Sequence, residues 1–148
     1  MPIINSPQGA YYEYRFVTSF EETNVVGNIY FANYAVWQGK CREMFLYEYC
    51  ADVIEEINNG LYMITLDLSL QFISQLFAFD KVVMRMYMDA QSESRVMMRF
   101  EYYCDKDGEL SLICKGHQAT AVMRNQDGVM VPTHFPDSMM EIFMEYAN

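Results

Sequence analysis

Hydrophobic and polar positions alternate along three stretches of the chain and recur at helical spacing along a fourth. From Leu61 to Ile73, Tyr62, Ile64, Leu66, Leu68, Leu70 and Phe72 fall on one side, with Thr65, Asp67, Ser69 and Gln71 on the other. A period of two marks a half-buried strand. Val82 to Asp89 repeats it with Val82, Met84, Met86 and Met88, and Arg95 to Cys104 with Val96, Met98, Phe100 and Tyr102. Ala10 to Phe20 is rich in Tyr, Phe, Val and Thr and predicts a first strand. Leu110 to Arg124 predicts a last one, with Gly116, Ala119 and Ala121 leaving room for close packing. Gln91-Ser92-Glu93, Lys106-Asp107-Gly108 and Asp127-Gly128 supply turns between or after them.

The period changes between about Tyr30 and about Tyr49. There Tyr34, Trp37, Cys41, Met44 and Phe45 recur at three- and four-residue spacing, which predicts a long helix with one apolar face. Gly39 sits inside it at a cost of ~1 kcal/mol relative to Ala, pointing to close approach by a strand or a second subunit. Ala51 to Ile57 predicts a short second helix, stopped by Asn58-Asn59-Gly60, and Ser138 to Tyr146 a terminal one. Residues 1–9 read as a loose lead-in. One strand, one long helix and four strands joined mostly by short turns imply antiparallel neighbours. The expected fold is α+β: a five-stranded antiparallel sheet packed on one long central helix, with residues 1–148 in one domain.

Composition narrows the function. At 52% apolar residues the chain is not a disordered one. A formal charge of −10 argues against nucleic-acid binding. No run approaches the roughly 20 apolar residues of a membrane helix, and the first residues lack an export signal, so a cytoplasmic protein is expected. Cys41, Cys50, Cys104 and Cys114 form no CxxC pair, and His117 and His134 lack a metal-ligand spacing. Neither a metal nor a cofactor is expected. Thirteen Met, twelve Tyr and ten Phe suit either a groove for a long unsaturated chain or contacts between subunits.

The run Thr23-Asn24-Val25-Val26-Gly27-Asn28-Ile29-Tyr30-Phe31-Ala32-Asn33-Tyr34, followed by Trp37, resembles the signature of hotdog-fold thioesterases of the 4-hydroxybenzoyl-CoA type. Asn24 stands where that family carries its catalytic Asp. With the continuation Gln38-Gly39-Lys40-Cys41-Arg42-Glu43-Met44-Phe45, the chain is similar to the branch that releases polyenes from enediyne polyketide synthases. The resemblance implies a hotdog fold, with the sheet wrapped around the helix, and a homo-oligomer built as a dimer of dimers. It implies hydrolysis of a polyene β-keto acyl thioester carried on an acyl carrier protein, followed by decarboxylation to a methyl ketone. An acyl-CoA thioesterase of general metabolism and a non-catalytic polyene-binding protein are the alternatives.

The resemblance also assigns roles. The backbone N–H of Phe31, at the start of the helix, would bind the oxyanion, because the first helical N–H groups lack intrahelical partners and the helix end is partly positive. Asn24 can only donate and accept hydrogen bonds, so it would hold the carbonyl or the attacking water. Arg42 would bind a carboxylate or enolate, or polarise the thioester. Gly27, Tyr30, Asn33, Tyr34 and Thr65 would contact substrate. Glu22, Glu43 and Asp67 are candidate carboxylates, none preferred as a base. The carrier protein is itself acidic, so a basic patch is expected to receive it. Arg85 and Arg99, with Lys81, Arg95 and Arg124 nearby, are the candidates.

Overall fold

The computed structural model describes residues 3–146. Met1, Pro2, Ala147 and Asn148 of the expected 1–148 domain lie outside the described residues. In chain order the elements are β1 (Ile3–Ile4), β2 (Tyr11–Val17), a 3-10 turn at Phe20–Glu22, α1 (Ala32–Tyr49), α2 (Ala51–Asn58), β3 (Leu61–Phe72), β4 (Lys81–Gln91), β5 (Arg95–Lys106), β6 (Glu109–Gln126), β7 (Val129–Pro132) and α3 (Asp137–Tyr146). The sheet runs β1-β2-β4-β5-β6-β3, with β7 on β6, and every pair is antiparallel. Its apolar face lies on α1, so the architecture is the α+β hotdog. Among the described residues no helix is long and apolar enough to cross a membrane.

The burial of α1 follows the helical period. Tyr34, Trp37, Cys41, Phe45 and Leu46 are buried, and Met44 is half-buried against them. They meet the inward residues of β4 and β5, among them Met84, Met86, Phe100 and Tyr102. Each large apolar side chain fully buried in this way contributes about 1.5–3 kcal/mol relative to exposure. The four cysteines are buried and free. Burial pushes the thiol of Cys50 up to about 12 and that of Cys114 up to about 11, which removes them as nucleophiles at neutral pH.

Three features depart from the sequence expectation. The sheet has seven strands rather than five, because Ile3–Ile4 pairs with β2 and Val129–Pro132 with β6. The lead-in is therefore partly tied to the sheet. Second, β3 does not neighbour β4. Residues 73–80 cross from one edge of the sheet to its other half, and they clamp the loop before α1 as they pass. Ile29 N–H donates to the Leu76 carbonyl at 2.8 Å, and Asn28 bridges to Phe77. Third, the alternation of β3 changes side at a register shift between Thr65 and Asp67. Thr65 pairs with Thr120 and Leu68 with Gln118, and both partners point toward α1. Leu66 is the extra residue of the bulge, so Tyr62 and Ile64 lie on the face opposite Leu68, Leu70 and Phe72.

The glycines also sort differently from expectation. A Cβ at Gly39 would meet nothing within 4 Å, so no strand of this chain approaches it. Gly116 is the close contact: a Cβ there would lie 2.1 Å from Gln38 Nε2 and 3.1 Å from the Ser69 carbonyl oxygen. Gln38 is completely buried and occupies the notch this glycine leaves. Replacing Gly116 by Ala forces Gln38 to move, and overpacking of this kind costs about 1–3 kcal/mol. Denaturant unfolding of Gly116→Ala should show that loss, and Gln38→Ala in the same chain should recover most of it.

Candidate active site

The residues with chemical roles fall into two groups, at the start and at the middle of α1. At the start, a tight loop carries Asn24. Its backbone N–H donates to the Asn28 carbonyl and its own carbonyl accepts from Gly27, both at 2.9 Å. The Asn24 Oδ1 accepts the Val26 N–H at 3.0 Å. An Asx turn of this kind fixes the carboxamide with its oxygen used. The Nδ2 group has no partner among the described residues, so the two donors of Asn24 remain free. Gly27 has φ +94, which L side chains rarely adopt; this positive φ, rather than crowding, is what the position requires.

The loop is tied to α1 through Glu22. The Glu22 carbonyl accepts from Tyr30 N–H at 2.9 Å and from Asn33 Nδ2 at 2.8 Å. The Glu22 carboxylate accepts Ser19 N–H at 2.8 Å on one oxygen and Trp37 Nε1–H at 2.8 Å on the other. With both oxygens engaged, Glu22 braces the loop and is not a free base. Phe31 is the N-cap of α1 at φ −58, ψ −32, and its N–H has no backbone acceptor among the described residues. That leaves a donor at the positive end of the helix, beside the Asn24 loop. The rings of Tyr30 and Phe31 lie against each other, tilted by 51° with centroids 4.7 Å apart, and are 46% and 59% exposed, enough to contact a ligand.

Arg42 forms the second group. Its Nη1 donates to Gln118 Oε1 at 2.8 Å, Thr65 Oγ1 at 3.2 Å and Thr120 Oγ1 at 3.3 Å. Its Nη2 lies 3.9 Å from the largely exposed Glu43 carboxylate, and its Nε is buried without a hydrogen-bond partner. Burial lowers the Arg42 pKa and Glu43 offsets part of that shift, but arginine stays protonated in proteins. Arg42 and Glu43 line a cavity of about 540 Å³ with Leu46, Ile57, Leu61 and Met63. A fixed guanidinium at the rim of a partly apolar cavity suits an acyl chain that carries oxygens.

The two groups do not meet within one chain. Ala32 to Arg42 is ten steps of α1, about 15 Å at 1.5 Å per residue, which is beyond the reach of an arginine side chain. Thr65 joins the Arg42 group, and Asn33 serves as a tie between loop and helix. Tyr34 belongs to the core: it is 3% exposed, packs on Trp37, Phe72 and Tyr102, and burial pushes its phenol up to about 12. Asp67 pairs with Ala119, facing away from α1. Arg85 lies between the rings of Tyr11 and Tyr103, at 4.7 and 4.8 Å, with Glu13 at 3.8 Å. Arg99 lies over Tyr87 at 4.0 Å and bonds Asp89 at 3.2 Å. Both arginines are therefore matched by acids on their own face of the sheet. Among the described residues no cluster of His, Cys, Asp or Glu could hold a metal ion. Gln38, Gln118 and Thr120, all buried, were not among the sequence candidates; their signal was polar side chains at positions that the periods turn inward.

A hotdog fold with a free N–H at the start of its central helix suits stabilisation of a thioester oxyanion. The chain belongs to the thioesterase-like superfamily, whose family model matches residues 18–143. It is a thioesterase related to the dynemicin thioesterase, with 36% identity over 93% of this chain and 98% of that one, at a TM-score of 0.89. The crystal structures of that relative concern polyene binding. The fold is also shared with a variant of 4-hydroxybenzoyl-CoA thioesterase holding 4-hydroxybenzoyl-CoA, at 12% identity and a TM-score of 0.75 over 89% of this chain and 97% of that one. A DHNA-CoA thioesterase from Staphylococcus aureus shares it at 18% identity and a TM-score of 0.77, over 91% of this chain and 93% of that one. No curated protein sequence matches the chain significantly.

Proposed function

We propose that this thioesterase hydrolyses the thioester of a polyene β-keto acyl chain delivered by the acyl carrier protein of an iterative enediyne polyketide synthase. The β-keto acid released then loses CO2 to give a methyl ketone. One observation carries the reading: 36% identity, along nearly the whole chain, to a thioesterase whose crystal structures concern polyene binding. The site supports it. The Phe31 N–H and the Asn24 Nδ2 group offer two donors to the carbonyl oxygen, which gains negative charge as water attacks. Arg42 offers a cation to the β-carbonyl and to the carboxylate that hydrolysis creates.

A second copy of the chain would complete this site. β3 is an edge strand, and Leu66, Leu68, Phe72 and Ile73 along it are 38–49% exposed. Val25, Val26 and Phe79 on nearby loops are more exposed still. Two β3 edges related by a two-fold axis would pair antiparallel, covering that apolar surface. The two α1 helices would then run in opposite directions. Arg42 of one copy could thereby lie near the Asn24 loop of the other. Further pairing of such dimers would give the tetramer.

The experiment is to load a carrier protein with a polyene β-keto chain and follow the products by mass spectrometry. Free methyl ketone, released faster than from the matching acyl-CoA, is the expected result. Preference for the CoA ester would overturn the carrier-bound substrate, and a bound polyene left as the thioester would overturn the hydrolysis.

A further inference from the structure

The guanidinium of Arg42 is held by a buried polar chain that crosses from α1 to β6 and β3. Gln118 is 3% exposed and accepts from Arg42 Nη1 at 2.8 Å, the shortest of that nitrogen's three contacts. Gln118 Nε2 donates in turn to Gln38 Oε1 at 3.4 Å, and Gln38 Nε2 donates to the Ser69 carbonyl at 3.3 Å. Gln38 lies one turn before Arg42 on α1 and fits only because Gly116 has no side chain. Thr120 is completely buried, and its Oγ1 lies 3.5 Å from Gln118 Oε1 and 3.3 Å from Arg42.

Polar groups at these positions are costly. Gln38, Gln118 and Thr120 face an otherwise apolar interior, where an unpaired amide or hydroxyl is destabilising. A well-packed Leu or Met would fill the same space without a partner. The three side chains have one feature in common: together they lead to Nη1 of Arg42. With Nη1 committed and Nε buried, Nη2 is the donor left open. Nε has no partner and Nη2 has only the exposed Glu43 at 3.9 Å. Nη2 can donate a charge-assisted hydrogen bond to a carboxylate or a carbonyl oxygen.

We propose that Gln118, backed by Gln38 in the Gly116 notch and assisted by Thr120, is a positioning residue that fixes Nη1 of Arg42 and so presents Nη2 to the oxygens of the substrate. This rests on the reading of Arg42 as a catalytic residue. Gln118 itself touches no reacting atom. Its effect passes through Arg42, so it should vanish when Arg42 is absent.

A double-mutant cycle on the full-length protein with carrier-bound substrate tests this. Gln118→Met keeps the volume and removes the acceptor; Thr120→Val is a second, nearly isosteric change should the first fail to fold. In the parental background Gln118→Met should lower kcat about tenfold with KM changed less than threefold, and Thr120→Val about threefold. In an Arg42→Ala background neither should lower kcat further. Equal losses in both backgrounds would mark a merely structural role and overturn the proposal while leaving the function of Arg42 intact. Parental kcat in Gln118→Met and Thr120→Val would overturn it equally. Parental kcat in Arg42→Ala would overturn it together with the proposed role of Arg42, so the two failures are distinguishable.

Discussion

Arg42→Ala should lower kcat about 100-fold while the protein stays folded. The magnitude follows from a charge-assisted hydrogen bond made mainly in the transition state, ~2–3 kcal/mol, or one to two powers of ten in rate. The truncation also strips Gln118 and Thr120 of their common donor, so a modest loss of stability should accompany it. Arg42→Lys restores one positive charge but not the planar fork. It should recover only a small part of the rate. Steady-state kinetics on carrier-bound substrate checks both values, and a lysine variant as fast as the parent would show that charge alone matters.

The same variant tests the completion of the site by a second copy. Arg42 lies about 16 Å along α1 from the Phe31 N–H of its own chain. If each site takes Phe31 from one copy and Arg42 from the other, an Arg42-deficient chain and a chain lacking the Phe31 donor complement each other. Their heterodimer has one site with both defects and one site with neither. Co-expression of the two inactive chains should therefore recover activity well above either alone. If both residues served the same copy's site, every site would carry one defect and no activity would return.

How much of this was legible in the sequence depends on the element. The extent of α1 and the inward faces of β4 and β5 followed from periodicity alone, because Trp37, Phe45, Met84, Met86, Phe100 and Tyr102 are buried where the pattern puts them. β3 looked the cleanest and was misread. One extra residue at Leu66 shifts every later side chain to the other face, and alternation of apolar residues along both halves hides it. The strand order is hidden as well, since nothing in the short segment 73–80 signals that it crosses the sheet. The placing of Asn24, Gly27 and Phe31 together at the start of α1 is legible because the loop motif is local. Tyr34 was not, because an aromatic at the helix start serves a core as well as a cleft. Gln38 was passed over as a polar residue inside an apolar stripe, although that placement, one turn before Arg42, was the signal.

Phe31 carries the central claim, that a backbone N–H at the start of α1 stabilises the oxyanion. Its φ of −58 is one that proline adopts, and the first helical turn tolerates proline. Phe31→Pro therefore deletes the N–H with little change to the helix, while Phe31→Ala deletes the exposed ring and keeps the N–H. Loss of one oxyanion donor costs about 100- to 1,000-fold in kcat. The decisive measurement is kcat for this pair on carrier-bound substrate, with circular dichroism confirming that both remain folded. A fall of at least 100-fold in Phe31→Pro, with Phe31→Ala within a few-fold of the parent, is what the account predicts; equal rates for the two variants would contradict it.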